Sequence, residues 1–222
     1  MAHANAAVQQ GTGHPWRRRR LVIDLDRCWG CHACEVACKR EHGLPPGAAA
    51  IRVERIGPRR IGGRLRTAYV PCLCQHCEDP VCSAACPFEA FEKGPHGEVR
   101  IVRDRCTCCG QCAEACPYGA IELGGGDRVS DGVAGAPART PATAPGTTPH
   151  AALYGPPVKC DLCTDRLSTG LPPSCLQHCE GRAIALLDDE SFEQVRLGRY
   201  AWSTGAVVYI STEWPALGRA LR

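Results

Sequence analysis

The sequence has few of the residues that build an ordinary hydrophobic core. Its 222 residues include three Phe, four Trp, five Tyr and a single Met. Long apolar runs are also missing, since no window of 18 apolar residues occurs, and this excludes a membrane-spanning helix. There is no nucleophile elbow, Walker loop or dinucleotide fingerprint, so the sequence predicts no catalytic centre of its own.

Charge of one sign is scarce as well, because the formal net charge is only +3. A nucleic-acid-binding protein needs a concentrated basic patch, and Arg17–Arg20 is the one candidate. Residues 1–20 have the composition of a disordered basic leader. Their basic run is interpreted as a solvated tail, or as a docking segment for an acidic partner or an anionic membrane surface. We therefore expect no nucleic-acid partner.

An export signal is not recognisable either. A twin-arginine signal needs an apolar stretch after the arginines, but Leu21–Ile23 is followed at once by Asp24 and Asp26. We expect a cytoplasmic protein or one peripheral to a membrane. Co-export in the folded state with a signal-bearing catalytic partner is the alternative.

Cysteine, by contrast, is abundant, with 18 residues. Such a content approaches that of disulfide scaffolds. However, the cysteines occur in CxxC-type clusters without a secretory signal, and that context indicates metal sites. Metal–thiolate bonds then replace much of the missing apolar core, so folding should depend on the cofactor.

The segment 99–123 carries the strongest pattern. It contains C-x2-C-x2-C-x3-C followed directly by proline, which is the bacterial ferredoxin run. Three of its cysteines bind one iron–sulfur cluster and the fourth ligates a different cluster. The segment therefore predicts partner motifs elsewhere in the chain. Its cysteines, here called group III, are Cys106, Cys109, Cys112 and Cys116.

Three related motifs occur in the rest of the chain. Group I repeats the same spacing, and its approach 21–28 matches 99–106, which indicates an internal repeat. Group II has two extra residues in its central gap, and group IV has a longer insertion there. Sixteen cysteines thus predict four [4Fe–4S] clusters. The additional groups are Cys28, Cys31, Cys34 and Cys38 (I); Cys74, Cys77, Cys82 and Cys86 (II); Cys160, Cys163, Cys175 and Cys179 (IV).

Zinc and haem are the competing interpretations. Two C-x2-C pairs can bind zinc, but zinc does not require the third and fourth cysteines or the following proline. The stretch from Cys28 to His32 fits a c-type haem attachment motif, yet the same cysteines complete a ferredoxin group. Cys72 and Cys108 are left over and are interpreted as unligated thiols. The motif histidines His32, His76 and His178 are expected to be partly solvated.

A further regularity concerns the residue four positions after the last cysteine of each group. It is an alanine followed by an apolar residue in groups II, III and IV, at Ala90, Ala120 and Ala183. A small side chain there would let the backbone approach a cluster closely. Group I departs from this rule, because His42 stands at the same place.

Local patterns predict only short elements. Strands are expected at 21–25 and 206–210, and an antiparallel hairpin from 51–56 and 65–70. A capping box at Ser191–Gln194 predicts the start of a short helix. Another short helix is expected from Pro215 onward. Residues 124–157 are rich in Gly and Pro without periodicity, which indicates an inserted surface loop.

The four groups in this order, with proline after group III and KCDLCTDRLSTGLPPSC at 159–175, resemble a known family. It is the electron-transfer (beta) subunit of the complex iron–sulfur molybdoenzymes, the dimethyl sulfoxide reductase family. The resemblance covers residues 20–210. It implies an α+β fold of two ferredoxin-like modules related by pseudo-twofold symmetry, with small antiparallel sheets and short helices stabilised by clusters. The implied divisions are an outer module at 21–70 and 158–212, an inner module at 71–123, the loop 124–157 and a tail at 213–222.

The resemblance also implies crossed ligation between the groups. All sixteen cysteines are present, so no [3Fe–4S] cluster is expected. The implied ligand sets are Cys28, Cys31, Cys34 and Cys179 (cluster 1); Cys160, Cys163, Cys175 and Cys38 (cluster 2); Cys74, Cys77, Cys82 and Cys116 (cluster 3); Cys106, Cys109, Cys112 and Cys86 (cluster 4).

The function implied is electron relay rather than catalysis by this chain alone. Electrons would pass between a molybdo- or tungstopterin catalytic subunit and a membrane quinone-linked subunit or a soluble carrier. Three alternatives stay open: a free-standing polyferredoxin, the small subunit of a tungsten aldehyde oxidoreductase, and a zinc-stabilised interaction protein. Neither the substrate of the partner nor the direction of electron flow is encoded in the motifs.

Overall fold

The computed structural model describes residues 19–94, 97–123, 156–203 and 205–215. The predicted leader up to residue 18, the loop from 124 to 155 and the helix expected after Pro215 lie outside these ranges. Within them the chain forms small sheets and short helices, and the longest helix has ten residues. This confirms the α+β class. No helix in these ranges is long and apolar enough to cross a membrane.

The elements follow one another in three stretches of the chain. The first stretch contains β1 (Arg20–Asp24), α1 (Ala33–His42), β2 (Ile51–Ile61) and β3 (Arg64–Leu73). The second contains α2 (Val81–Ala84), β4 (Phe91–Lys93), β5 (Val99–Ile101), a 3-10 turn (Arg103–Arg105), α3 (Gln111–Ala115) and β6 (Glu122–Leu123). The third contains β7 (Pro157–Val158), α4 (Thr164–Ser168), α5 (Ser174–Gln177), β8 (Ile184–Leu187), α6 (Asp189–Arg196), β9 (Tyr200–Ser203) and β10 (Val207–Ser211).

The four-stranded sheet joins the two ends of the described chain, with strand order β8-β1-β10-β9. Strand β1 pairs with β8 in the antiparallel sense and with β10 in the parallel sense, and Leu21 lies opposite Val207. The parallel pair departs from the expected all-antiparallel sheets. It is possible because most of the chain lies between β1 and β10, which provides the long connection that parallel strands need.

Alternate residues of this sheet face two apolar clusters, as the period of a strand requires. Ile23, Val207 and Tyr209 face the larger one, which also contains the hairpin residues Ile51 and Val70. The buried cysteines Cys34, Cys38 and Cys175 belong to it as well. The opposite face packs on helix α6 through Val22, Val208, Ile210 and Phe192.

The hairpin β2–β3 is antiparallel, as predicted, and places Ile51 opposite Leu73. The middle of the chain forms a separate small core in which β4 pairs with β5. Phe91, Val99 and Ile121 are buried there beside Cys82 and Cys112.

Helix α6 begins earlier than the capping box predicts. Its N-cap is Asp188, whose carboxylate accepts a 2.8 Å hydrogen bond from the Ser191 amide. Asp is as good an N-cap as Ser, and this choice puts Asp189 and Glu190 in the first turn, where negative charge complements the helix dipole. Ser191 is therefore inside the helix rather than at its cap.

Candidate iron–sulfur sites

The structure brings the cysteines together in sets drawn from two loops each. One cavity of the small core is lined by three cysteines of group III, which precede and begin helix α3, and by Cys86 from the end of group II. Apolar side chains, including Phe91 and Ile101, complete its wall. The set is Cys106, Cys109, Cys112 and Cys86.

A second cavity lies beside it and has the reciprocal composition. Three cysteines of group II line it together with Cys116, the last cysteine of group III. Val99 and Ile121 contribute apolar surface. The set is Cys74, Cys77, Cys82 and Cys116.

A third cavity lies where the loop before α1 meets the loop after α5. Its wall contains Trp29, which is 58% exposed, and the apolar residues Val53 and Ile184. The cysteines in it are Cys28, Cys31, Cys34 and Cys179.

The remaining four cysteines meet between α1 and the group IV loop. Burial raises the pKa of Cys38 to about 12, and the nearby charge of Cys163 adds to the effect. Burial, with the charges of Cys163 and Cys38, also raises the pKa of Cys175. The pKa of Cys160 is raised in the same way, by burial and by the charges of Cys175 and Cys74. These interactions require the four sulfur atoms to lie close together.

The donor chemistry of these sites fits iron–sulfur clusters. Among the described residues that line the two cavities of the small core, cysteine sulfur is the metal-binding group, and the rest of the surface is largely apolar. Zinc sites need no such apolar chamber around four thiols. Sulfur-only ligation inside an apolar chamber is the environment that Fe–S clusters require.

Backbone amides are directed at the first cysteine of the groups. The amide two residues later donates to sulfur in three groups, from Gly30 to Cys28, from His76 to Cys74 and from Leu162 to Cys160; the last two N···S distances are 3.5 and 3.4 Å. The residue in this position has a left-handed backbone in all four groups. Its φ is 76° at Gly30, 48° at His76, 57° at Cys108 and 60° at Leu162.

The alanine regularity has a related explanation. The amides of Ala90, Ala120 and Ala183 donate to the sulfur atoms of Cys86, Cys116 and Cys179, at 3.4, 3.4 and 3.2 Å. The residue before each alanine has a positive φ, which turns the amide back toward the sulfur. The small side chain allows this close approach of the backbone.

Group I lacks this turn because helix α1 continues through Cys38 to His42. A different donor stands near the sulfurs instead. The Nε2 atom of His42 lies 3.4 Å from the sulfur of Cys163 and 3.6 Å from an oxygen of Asp161. We did not predict this contact from the sequence. The signal that could have revealed it is the histidine at the position where the other groups have alanine.

The other histidines have separate environments. His76 is only 2% exposed, and its Nδ1 accepts a 2.9 Å hydrogen bond from the Val99 amide, so the expectation of a partly solvated side chain is wrong for it. Strand β5 accounts for this, because it covers the group II loop. His32 is half-exposed beside Glu35, and His178 contacts the carbonyl of Ser174.

The two surplus cysteines differ from the other sixteen. Cys72 lies in β3, and its thiol contacts the carbonyl of Val70 at 3.4 Å. Burial raises its pKa to about 12, which keeps the thiol protonated. Cys108 lines the cavity that contains Cys106, at the left-handed turn position described above.

Contacts from the group IV segment tie the small core to the rest of the chain. The Lys159 ammonium donates to the carbonyl of Val99 in β5 and to that of Cys160, the latter at 2.6 Å. Strand β6 pairs with β7 just before Lys159. On the other side, Cys77 forms a β-bridge with Gly205, and the Ala206 amide donates to Gln75 at 3.0 Å.

Comparison with known proteins agrees with this chemistry. A family profile described as a 4Fe-4S dicluster domain matches residues 65–129. The chain is 31% identical to a subunit of the tetrathionate reductase of Salmonella typhimurium, over 79% of this chain and 60% of that protein. It is 33% identical to a subunit of the selenate reductase of Mesobacillus selenatarsenatis, over 79% of this chain and 62% of that protein. The chain thus spans less than two thirds of the length of these two relatives.

Two other relatives are matched over most of their length. The chain is 33% identical to ArrB, the iron–sulfur subunit of the arsenate respiratory reductase of Shewanella sp., over 78% of this chain and 83% of ArrB. It is 31% identical to the electron transport protein HydN of Escherichia coli, over 80% of this chain and 92% of HydN. The chain therefore belongs to the family of 4Fe–4S electron-transfer proteins that includes the iron–sulfur subunits of tetrathionate, selenate and arsenate reductases.

Proposed function

We propose that this chain holds four [4Fe–4S] clusters and serves as the electron-transfer subunit of an oxidoreductase complex. Electrons pass between a molybdo- or tungstopterin catalytic subunit and a membrane quinone-linked subunit or a soluble carrier. The observation that carries the proposal is the convergence of three cysteines from one loop with one from another loop. It recurs in each of the three cysteine-lined cavities and in the set around Cys175.

The ligand assignment follows the crossed sets. Each set contains the first three cysteines of one group and the last cysteine of its partner group. The proposed ligands are Cys28, Cys31, Cys34 and Cys179 (cluster 1); Cys160, Cys163, Cys175 and Cys38 (cluster 2); Cys74, Cys77, Cys82 and Cys116 (cluster 3); Cys106, Cys109, Cys112 and Cys86 (cluster 4).

A [4Fe–4S] cluster, when bound, accepts and releases one electron at a time. The chain supplies what makes such transfer fast and reversible. Apolar side chains such as Phe91, Ile121 and Ile184 are buried beside the cysteines and exclude water. The amides of Ala90 and Ala120 are among the donors to cysteine sulfur, and these stabilise added negative charge.

We also propose the two-module organisation for the whole chain. Groups I and IV belong to the outer module, 21–70 and 158–212, and groups II and III to the inner module, 71–123. Two apolar clusters support the division, one containing Cys34 and Cys175 and the other Cys82 and Cys112. The repeated left-handed turn after the first cysteine supports a pseudo-twofold relation between the modules.

The crossed ligation is tested with serine variants of the two inner groups. Cys116→Ser is expected to perturb the same EPR component of the reduced protein as Cys77→Ser, although Cys116 follows group III in sequence. Cys86→Ser should perturb the component that Cys109→Ser perturbs. If Cys116→Ser and Cys109→Ser alter one component and leave the other intact, ligation is not crossed.

The partner assignment is tested by purification from the native source under anaerobic conditions. A stable complex with a pterin-containing subunit is expected, and about sixteen iron atoms per chain. A lone monomer with this iron content would instead identify a free-standing polyferredoxin. Zinc in place of iron would exclude electron transfer altogether.

A further inference from the structure

The four cysteine loops do not supply hydrogen bonds to sulfur in the same way. In groups II, III and IV the amide four residues after the last cysteine donates to its sulfur. In group I helix α1 runs from Ala33 to His42, so Cys38 is followed by helix. The amide of His42 is then directed to the carbonyl four residues earlier, as in any α-helix. The set that contains Cys38 therefore lacks the amide donor that the other three last cysteines have.

The side chain of His42 reaches a sulfur of that same set. Its Nε2 lies 3.4 Å from the sulfur of Cys163, which stands 121 residues later in the chain. A second acceptor is adjacent, since an oxygen of Asp161 lies 3.6 Å from the same nitrogen. That oxygen also accepts a 2.8 Å hydrogen bond from the Cys163 amide. The imidazole is thus held at the end of α1 between two groups of the group IV loop.

The chemistry of the neighbours decides which way this hydrogen bond runs. A cysteine that ligates iron is a thiolate, and a thiolate accepts hydrogen bonds without donating any. An ionised carboxylate is also an acceptor only. A lone pair on Nε2 would face two anions, so Nε2 carries the proton and donates it toward Cys163.

We propose that His42 is a positioning residue for the cluster held by Cys38, Cys160, Cys163 and Cys175, whose reduction potential it raises by donating to the Cys163 sulfur. This inference rests on the ligand assignment made above. Reduction adds negative charge to a cluster and its thiolates, and a donor to sulfur gains strength as that charge grows. The reduced state is therefore stabilised more than the oxidised state. The other three clusters use backbone amides at the corresponding place, so the effect of His42 is confined to one of four.

The same three residues invite a competing interpretation. The ligand atoms of His42, Asp161 and Cys163 lie within 4.8 Å of one another and could hold a single divalent metal ion. The proximity of Cys163 to Cys38 and Cys175 favours cluster ligation instead. Metal analysis separates the two, because a separate ion held by His42 would be lost from the His42→Phe variant while the iron content stays the same.

The test is an EPR-monitored redox titration of the full chain. Cys163→Ser first identifies the component that belongs to this cluster. His42→Phe is then expected to shift the midpoint of that component to lower potential. A tenfold change in the one-electron equilibrium constant, which is about 59 mV, is the size expected. His42→Gln keeps an N–H donor and should retain most of the wild-type potential.

His32→Phe is the matched control, because it removes an imidazole from the loop at the other end of α1, where it faces Glu35. It should leave the Cys163 component unmoved. The inference is overturned if His42→Phe moves no component, if it moves all components equally, or if the phenylalanine and glutamine variants behave alike. Loss of no component in Cys163→Ser would instead refute the ligand assignment.

A second readout does not depend on any variant folding. Pulsed EPR of wild-type protein grown with nitrogen-15 histidine should show a weak nitrogen coupling in the Cys163 component, transmitted through the N–H···S hydrogen bond. Absence of that coupling in a fully iron-loaded sample would refute the hydrogen bond directly.

Discussion

At the scale of single residues, backbone conformation rather than side-chain type explains much of the cysteine loops. The residue two after each first cysteine is left-handed, and only Gly30 among the four is a glycine. An L-residue in this region costs about 1–2 kcal/mol. The loops accept that cost because the turn aims an amide at cysteine sulfur. Cys108 is explained by the same turn: it occupies the position of Gly30, His76 and Leu162.

Cys108→Gly is therefore expected to keep the full iron content. Glycine adopts φ near +57° without strain, so stability should stay within about 1 kcal/mol of wild type. Cys108→Val should lower stability by about 1–2 kcal/mol, because a β-branched residue fits the left-handed region poorly. Iron analysis and anaerobic thermal unfolding measure both effects. Cys109→Ser serves as the control that loses iron, and an equal loss in Cys108→Gly would make Cys108 a ligand.

At the scale of elements, a charged network closes the largest sheet. Arg199, just before β9, donates to Asp24 at 2.8 and 2.9 Å and to Asp26 at 2.8 Å. Asp26 also accepts hydrogen bonds from Ser211 and Thr212 at the end of β10. Burial by itself would raise the pKa of Asp26, but these hydrogen bonds outweigh it and hold the pKa below its ordinary value. The ends of three strands are thus joined through two carboxylates.

Arg199→Met is expected to destabilise the protein by about 2 kcal/mol, because it leaves two carboxylates close together without their partner. The Asp26 contribution is present at neutral pH and is lost only as acidification passes below about pH 4, since the pKa of Asp26 is depressed. Anaerobic thermal unfolding at neutral pH measures the change. Arg196→Met is the control, since its pair with Glu193 is on the surface, and it should leave the midpoint unchanged. Equal midpoints for both variants would contradict the role of Arg199.

At the scale of the whole molecule, cysteine chemistry takes the place of a large core. Burial raises the pKa of Cys34 and Cys38 to about 12, and that of Cys82, Cys112 and Cys163 to about 11, with neighbouring charges adding to the effect. Without metal these thiols are protonated at neutral pH. Ligation requires thiolates, so binding iron and releasing protons are one process.

Cluster assembly is therefore expected to be faster and more complete at about pH 8.5 than at about pH 6.5, because proton release becomes easier as pH rises. A pH indicator in weakly buffered, anaerobic solution measures the protons released as iron and sulfide are added to the metal-free chain. Cys72→Ala is the control, because Cys72 lies outside the four sets and its thiol stays protonated. Assembly that is independent of pH, without proton release, would contradict this coupling.

The sequence by itself determined the chemistry of this protein. Cysteine spacing identifies an iron–sulfur protein because a cluster demands sulfur atoms at short, regular intervals along one loop. The hairpin β2–β3 and strand β10 were also predictable, since both depend on local apolar patterns. The alanines at 90, 120 and 183 marked a repeated turn, although not the amide-to-sulfur hydrogen bonds that they make.

The tertiary structure alone decided what depends on residues far apart in the chain. The parallel pairing of β1 with β10 and the burial of His76 under β5 arise from contacts that no local pattern encodes. The contact between His42 and Cys163 is of the same kind. It exists because a helix replaces a turn after Cys38 and carries an imidazole to a loop 121 residues away.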